Sequence, residues 1–171
     1  LREGMMEKAI GQFKIVMELE PNHPEAHFNL GYIYFKKDML IEAAEEYKRG
    51  VQIKPDSIKG HLSLAFIYEK EGSYDEAITQ YSAVLALEPD NQNAKQAISA
   101  IKAILRIKES LKLNTKDASS YVYLGHIYFA KEMYKEAADN YNKALQIDPK
   151  NKTAKIAAEK TVVLLCEPPQ K

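Results

Sequence analysis

A block of 34 residues recurs along this chain, and no other feature constrains its fold as strongly. Pro55 and Pro89 stand 34 apart, as do Ala43 and Ala77, Tyr47 and Tyr81, Tyr34 and Tyr68, and Leu30 and Leu64. A fixed period of that length predicts a solenoid of stacked helical hairpins, each burying its apolar face against its neighbours. Such stacks present surfaces that hold other proteins and seldom carry out chemistry.

Within a block the residue types explain the packing. Leu30, Gly31 and Tyr34 share a face with His27 at helical spacing, so they line one side of a first helix. Gly31 and Ala65 are small where the paired helix must come close. Ala43 and Tyr47 form an i,i+4 pair on the second helix: the small residue admits the neighbour and the ring fills the gap. Pro55 and Pro89 stop the second helix, and Lys37-Asp38-Met39, Glu71-Gly72-Ser73 and Lys131-Glu132-Met133 read as turns inside units. Hydrophobic residues make up 46% of the chain, enough for a continuous core, and no apolar run approaches the ~18–20 residues that span a bilayer.

Three blocks carry the same signature in full. One reads His27, Leu30-Gly31, Tyr34, Ala43, Tyr47, Pro55. The next reads His61, Leu64-Ala65, Tyr68, Ala77, Tyr81, Pro89, and the third Tyr121, Leu124-Gly125, Tyr128, Ala137, Tyr141, Pro149. This pattern resembles the tetratricopeptide repeat. The resemblance covers most of the chain. It implies an all-α, right-handed α-solenoid of stacked helix-turn-helix repeats, interrupted here by one long helix, with a non-catalytic binding role and no cofactor.

Two irregularities set the organisation. Gly4, Ala9, Phe13 and Pro21 align with Gly72, Ala77, Tyr81 and Pro89 at twice the period. Residues 1–23 therefore read as a second helix without its first, with Ala9 and Phe13 partly uncovered, and the chain reads as a fragment. Full units follow at 24–57 and 58–91. The next full unit is 118–151, which leaves 92–117, eight residues short of a repeat. No Gly, Pro, Asn or Asp occurs between Ala94 and Leu113. Ala94, Ala97, Ile98, Ile101, Ile104, Leu105, the stem of Lys108 and Leu111 make one helical stripe. Residues 92–113 are thus read as one rod, ~33 Å long, which would reverse the entry direction of the next unit; two shortened helices are the alternative. Pro89, Asn91, Ala94, Lys95 and Ala97 recur as Pro149, Asn151, Ala154, Lys155 and Ala157, so 152–166 reads as a capping helix and 167–171 as a tail. Its Val162-Val163-Leu164-Leu165 run is more apolar than a solvent-facing cap requires.

In tetratricopeptide proteins the stripe beside the core positions of each first helix lines a concave groove. Here that stripe carries Glu25, Phe28, Tyr32 and Phe35, with Asn29 alongside; then Lys59, Leu62 and Phe66, with Ser63 and Lys70; then Ser119, Val122 and His126, with Tyr123. Phe28, Tyr32, Leu62 and Phe66 suit a peptide with apolar anchors, with Asn29 and Lys59 setting register. The competing reading packs some of these rings between units. Some family members clamp acidic chaperone tails, and Asn29 and Lys59 match two clamp positions, but Ser63 stands where Arg is expected, which weighs against that partner.

Nothing in the sequence argues for catalysis. His27 and His61 occupy a core position, and His126 has no nearby Cys or carboxylate cluster for a metal. Glu42-Glu45-Glu46 and Asp75-Glu76 begin second helices, where negative charge favours the N-terminus. With 24 basic and 24 acidic residues the net charge is zero, favouring neither nucleic acid nor anionic membrane. The single cysteine, Cys166, permits no internal disulfide and fits a reduced, cytoplasmic setting. The sequence therefore points to a scaffold or adaptor binding a protein or peptide. Homo-oligomeric assembly through exposed ends, or service as the recognition arm of a larger enzyme, are the alternatives.

Overall fold

The computed structural model describes residues 2–166, with side chains from Gly4 onward. Pro168 and Pro169, expected to stop the last helix, lie outside the described residues. Within them the chain is all α-helix. The order is α1 (Arg2–Leu19), α2 (Pro24–Lys36), α3 (Leu40–Ile53), α4 (Ile58–Glu71), α5 (Tyr74–Leu87), α6 (Gln92–Leu113), α7 (Ala118–Ala130), α8 (Tyr134–Ile147) and α9 (Lys152–Cys166). The chain divides into two compact units, residues 1–98 and 99–171.

In the first unit each helix packs on the next, from α1 through α5. Its core joins Ala43, Ala44, Tyr47, Val51, Leu64 and Ile67. In the second unit α7 packs on α8, α8 on α9, and α7 also meets α9. There Val122, Ala144 and Ala154 are buried together, with Leu124, Tyr128 and Tyr141 also in the interior.

Local chemistry sets where each helix begins. The backbone N–H of Ala26, Gly60, Ala94, Ser119 and Ala154 donates to the side chain of His23, Ser57, Asn91, Asp117 and Asn151 respectively. These caps satisfy N–H groups that the helix itself leaves without partners. Second helices start differently, straight out of a left-handed turn. Asp38 (φ 59°), Gly72 (φ 78°) and Glu132 (φ 58°) occupy the left-handed region. The following N–H groups of Met39, Ser73 and Met133 reach back to the carbonyls of Tyr34, Tyr68 and Tyr128, closing the first helix in a Schellman arrangement.

At Gly4 the structure departs from the sequence alignment. Gly72, its counterpart, is a left-handed turn, whereas α1 runs as helix straight through Gly4. Closure at Gly72 depends on the carbonyls of Tyr68 and Glu69. Ala9 and Phe13 are half-buried, whereas Ala43 and Tyr47 are almost fully enclosed.

Helix α6 runs unbroken for 22 residues. Ala94, Ile101, Ile104 and Leu111 are buried along it, while Leu105 and Lys108 from the same expected stripe are exposed. On α9, Ala154 and Thr161 are buried, and Val162, Val163 and Leu165 are exposed.

Candidate functional site

The two core histidines act as braces between helices. His61 Nε2 donates to the Pro55 carbonyl at 2.9 Å, and its Nδ1 lies 2.8 Å from Oε1 of Gln80. His27 makes the same pair of contacts, with Nδ1 2.7 Å from Glu46 Oε2 and Nε2 3.4 Å from the Pro21 carbonyl. Each imidazole thus ties its own first helix to the second helix and to the preceding proline turn.

Beside them, α2 and α4 border an open groove of about 390 Å³. Phe28, Asn29, Tyr32, Lys59 and Ser63, five of the sequence-predicted residues, line it, together with Glu25, Tyr47, Lys54, Ser57 and Gly60. Phe28 is the floor. Its ring lies over Gly50 and Gly60, where a Cβ would collide with it, and it tilts against Tyr47 with centroids 6.1 Å apart. Tyr32 stands at the rim, 53% exposed, with the Lys36 ammonium 5.4 Å from its ring centroid. Leu62 is half-buried outside that lining. Phe66 is partly exposed and meets Phe35 edge-to-face at 5.7 Å.

The polar wall is ordered by charge. Lys54 Nζ lies 3.2 Å from Glu25 Oε1. A backbone N–H at the helix start, and then Lys54, hold the Glu25 carboxyl below its usual range. Burial pushes the Tyr47 phenol up, partly offset by a hydrogen bond with Ser63. Lys59 is exposed on the same wall, so the groove offers an aromatic floor, an amide, a hydroxyl and a cation. This set can hold a polar backbone or an acidic group above an apolar contact. Among the described residues no group of His, Cys, Asp and Glu is placed to hold a metal ion, and no helix is long and apolar enough to cross a membrane.

The second unit repeats the groove at the same positions. Val122, Tyr123 and His126 line a pocket of about 210 Å³ with Ser119, Asn151 and Thr153. Here the floor residue Val122 is buried and Tyr123 is 57% exposed. A neighbouring pocket of about 390 Å³ shares His126 and Thr153 and extends to Phe129, Tyr141, Ile156, Ala157 and Lys160. Sequence reasoning missed Lys54, Ser57 and Gly60 on one groove, and Phe129, Ile156 and Lys160 on the other. Phe129 was within reach, because it stands at the repeat position of Phe35.

Family models for the tetratricopeptide repeat match residues 1–58, 38–101 and 118–151. The chain belongs to the tetratricopeptide repeat family, whose repeats typically serve as non-catalytic scaffolds for protein–protein interaction. A comparison with curated proteins finds no match. Among solved structures, a MamA RS-1 double mutant is 19% identical, with 89% of this chain and 90% of that chain covered and a TM-score of 0.54. MamA itself is 21% identical over 96% of this chain and 81% of that one, with a TM-score of 0.48. YrrB, described as a tetratricopeptide protein with an unusual peptide-binding site, is 16% identical over 90% and 83%, with a TM-score of 0.49. At these identities the likeness concerns the fold alone.

Proposed function

We propose that this chain is a non-catalytic scaffold that holds a peptide or helical segment of a partner protein in the grooves that its repeat units present. One observation carries the reading: both units present a groove built from the same repeat positions, Phe28–Asn29–Tyr32 in one and Val122–Tyr123–His126 in the other. The core residues around each groove are fixed by packing, so the surface is preformed and little ordering cost is added on binding. Phe28 acts from below as a rigid floor, and Tyr32, Asn29, Lys59 and Ser63 make the contacts above it. An affinity in the micromolar range, about −8 kcal/mol, is ordinary for a groove of this kind.

The test places a photo-crosslinking side chain at Tyr32, with a second at Lys48, an exposed residue of α3 outside the groove, in cells that make the protein. Partner peptides crosslinked at position 32 and lost on Lys59→Glu support the groove. Equal crosslinking at both positions, or none at position 32, rejects it.

A second reading has its own observation. Ile156, Val162, Val163 and Leu165 on α9, and Met5, Ile15 and Leu19 on α1, are all exposed, which favours contact between copies of the chain. Sedimentation that shows mass rising with concentration, and reverting on Val163→Glu, would support it; a constant monomer mass would end it.

A further inference from the structure

The two units handle one position in opposite ways. In the first, Phe35 of α2 and Phe66 of α4 meet edge-to-face, with centroids 5.7 Å apart and planes at 72°. Helix α9 stands to the α7–α8 hairpin as α4 stands to α2–α3, and the equivalent residues are Phe129 and Lys160. Phe129 keeps its ring, which meets Tyr134 edge-on at 5.5 Å. Lys160 brings no ring; its ammonium sits 5.2 Å from the Phe129 centroid. Beside this pair lies the open pocket of about 390 Å³, with Ile156, 67% exposed, on its wall. A dry cavity of roughly 150 Å³ accepts benzene, so this space is ample for one phenyl ring.

We propose that this pocket is an anchor subsite for an aromatic side chain of a partner peptide, with an acidic residue next to that side chain. The inference rests on the reading of the grooves as peptide-binding and adds what the peptide must carry. The first unit shows which chemistry completes the arrangement, because there the chain's own Phe66 supplies the second ring. A ligand ring on Phe129 gains apolar burial and the preferred edge-to-face contact. It displaces the Lys160 ammonium from the ring face, and the exposed, flexible stem lets that cation swing outward. A carboxylate beside the anchor meets the displaced cation, whereas a basic neighbour is repelled by it.

The test titrates the full, isotope-labelled chain with N-acetyl-Phe-Asp-amide and follows backbone amide shifts by NMR up to the solubility limit of the probe. N-acetyl-Ala-Asp-amide and N-acetyl-Phe-Lys-amide are the controls. Shifts should cluster on Phe129, Ile156, Ala157 and Lys160, with the alanine probe binding about tenfold more weakly and the lysine probe a few-fold more weakly. Lys160→Phe, which rebuilds the pair of the first unit, should abolish the response; Ile156→Glu at the exposed wall should weaken it independently. Three results overturn the proposal: no clustered shifts, equal response to the alanine probe, or unchanged binding by Lys160→Phe. If they occur while crosslinking at Tyr32 still captures a partner, the subsite fails and the groove stands. If Tyr32 captures nothing while this pocket still selects Phe-Asp, the subsite stands and the groove of the first unit fails.

Discussion

A Cβ atom on Gly60 would stand 2.7 Å from Cε1 of Phe28. The ring therefore takes up space that an ordinary residue on α4 would occupy, and Gly50 on α3 yields in the same way. The second unit solves the same junction with smaller steps: Val122, Ala144 and Ala154 are its counterparts and are buried together. One large residue over two glycines has become one medium residue over two alanines.

Gly60→Ala alone should destabilise the chain by about 1–3 kcal/mol through overpacking, against a gain of about 1 kcal/mol from helix propensity. The triple change Phe28→Val, Gly50→Ala, Gly60→Ala copies the second unit's set and should recover most of that loss. Urea unfolding of the wild type, single and triple variants decides it. A triple variant less stable than Gly60→Ala would show that the two junctions are not interchangeable.

Tyr81 donates a 2.6 Å hydrogen bond to Glu69, and both side chains are buried. Burial, and then the Glu69 hydrogen bond and charge, push the phenol well above its ordinary range. Burial also raises Tyr47, Tyr68 and Tyr141. A raised folded-state value favours the neutral phenol, so this stability is complete below about pH 10 and is lost as pH rises toward the folded-state value. Tyr81→Phe should cost about 1–3 kcal/mol at neutral pH. Above pH ~10 its stability should fall less steeply than the wild type's, by up to about 1.4 kcal/mol per pH unit. Parallel alkaline curves for the two proteins would mean that Tyr81 ionises as freely folded as unfolded.

Asp117 caps α7, accepting from the Ser119 N–H at 3.0 Å and from the Ser120 hydroxyl at 2.6 Å. The Ser120 hydroxyl, followed by its backbone N–H, holds the carboxyl below the usual range. Its contribution is present above pH ~4 and disappears as pH falls through the folded-state value. Asp117→Ala should cost about 1 kcal/mol at pH 7, and the gap to wild type should narrow in acid. A gap that stays constant down to pH 2 would assign the effect to something other than the charged cap.

The repeat frame was legible because it rests on residues whose roles are local. Pro55 and Pro89 stop helices wherever they fall, and Gly31 admits the Tyr47 ring, whose Cδ2 lies 2.8 Å from where a Cβ would be. The unbroken α6 was legible for the same reason, since no turn-forming residue interrupts it. The groove was legible only in part. The family resemblance put Phe28 in the groove stripe but could not show that Gly50 and Gly60 let it sink to the floor, because that depends on three helices together. Lys54 escaped notice because it lies in a linker, and its role comes from a cross-helix approach to Glu25.

Each first helix, α6 and α9 included, opens on its own side-chain cap, and each of those caps spans only two or three residues. No distant part of the chain is needed to start any of them. The signal that places each helix start is therefore written locally, residue by residue, along the polypeptide. Within each unit, a hairpin that carries its own cap can begin to form before the rest of that unit is complete, as stacked repeats allow.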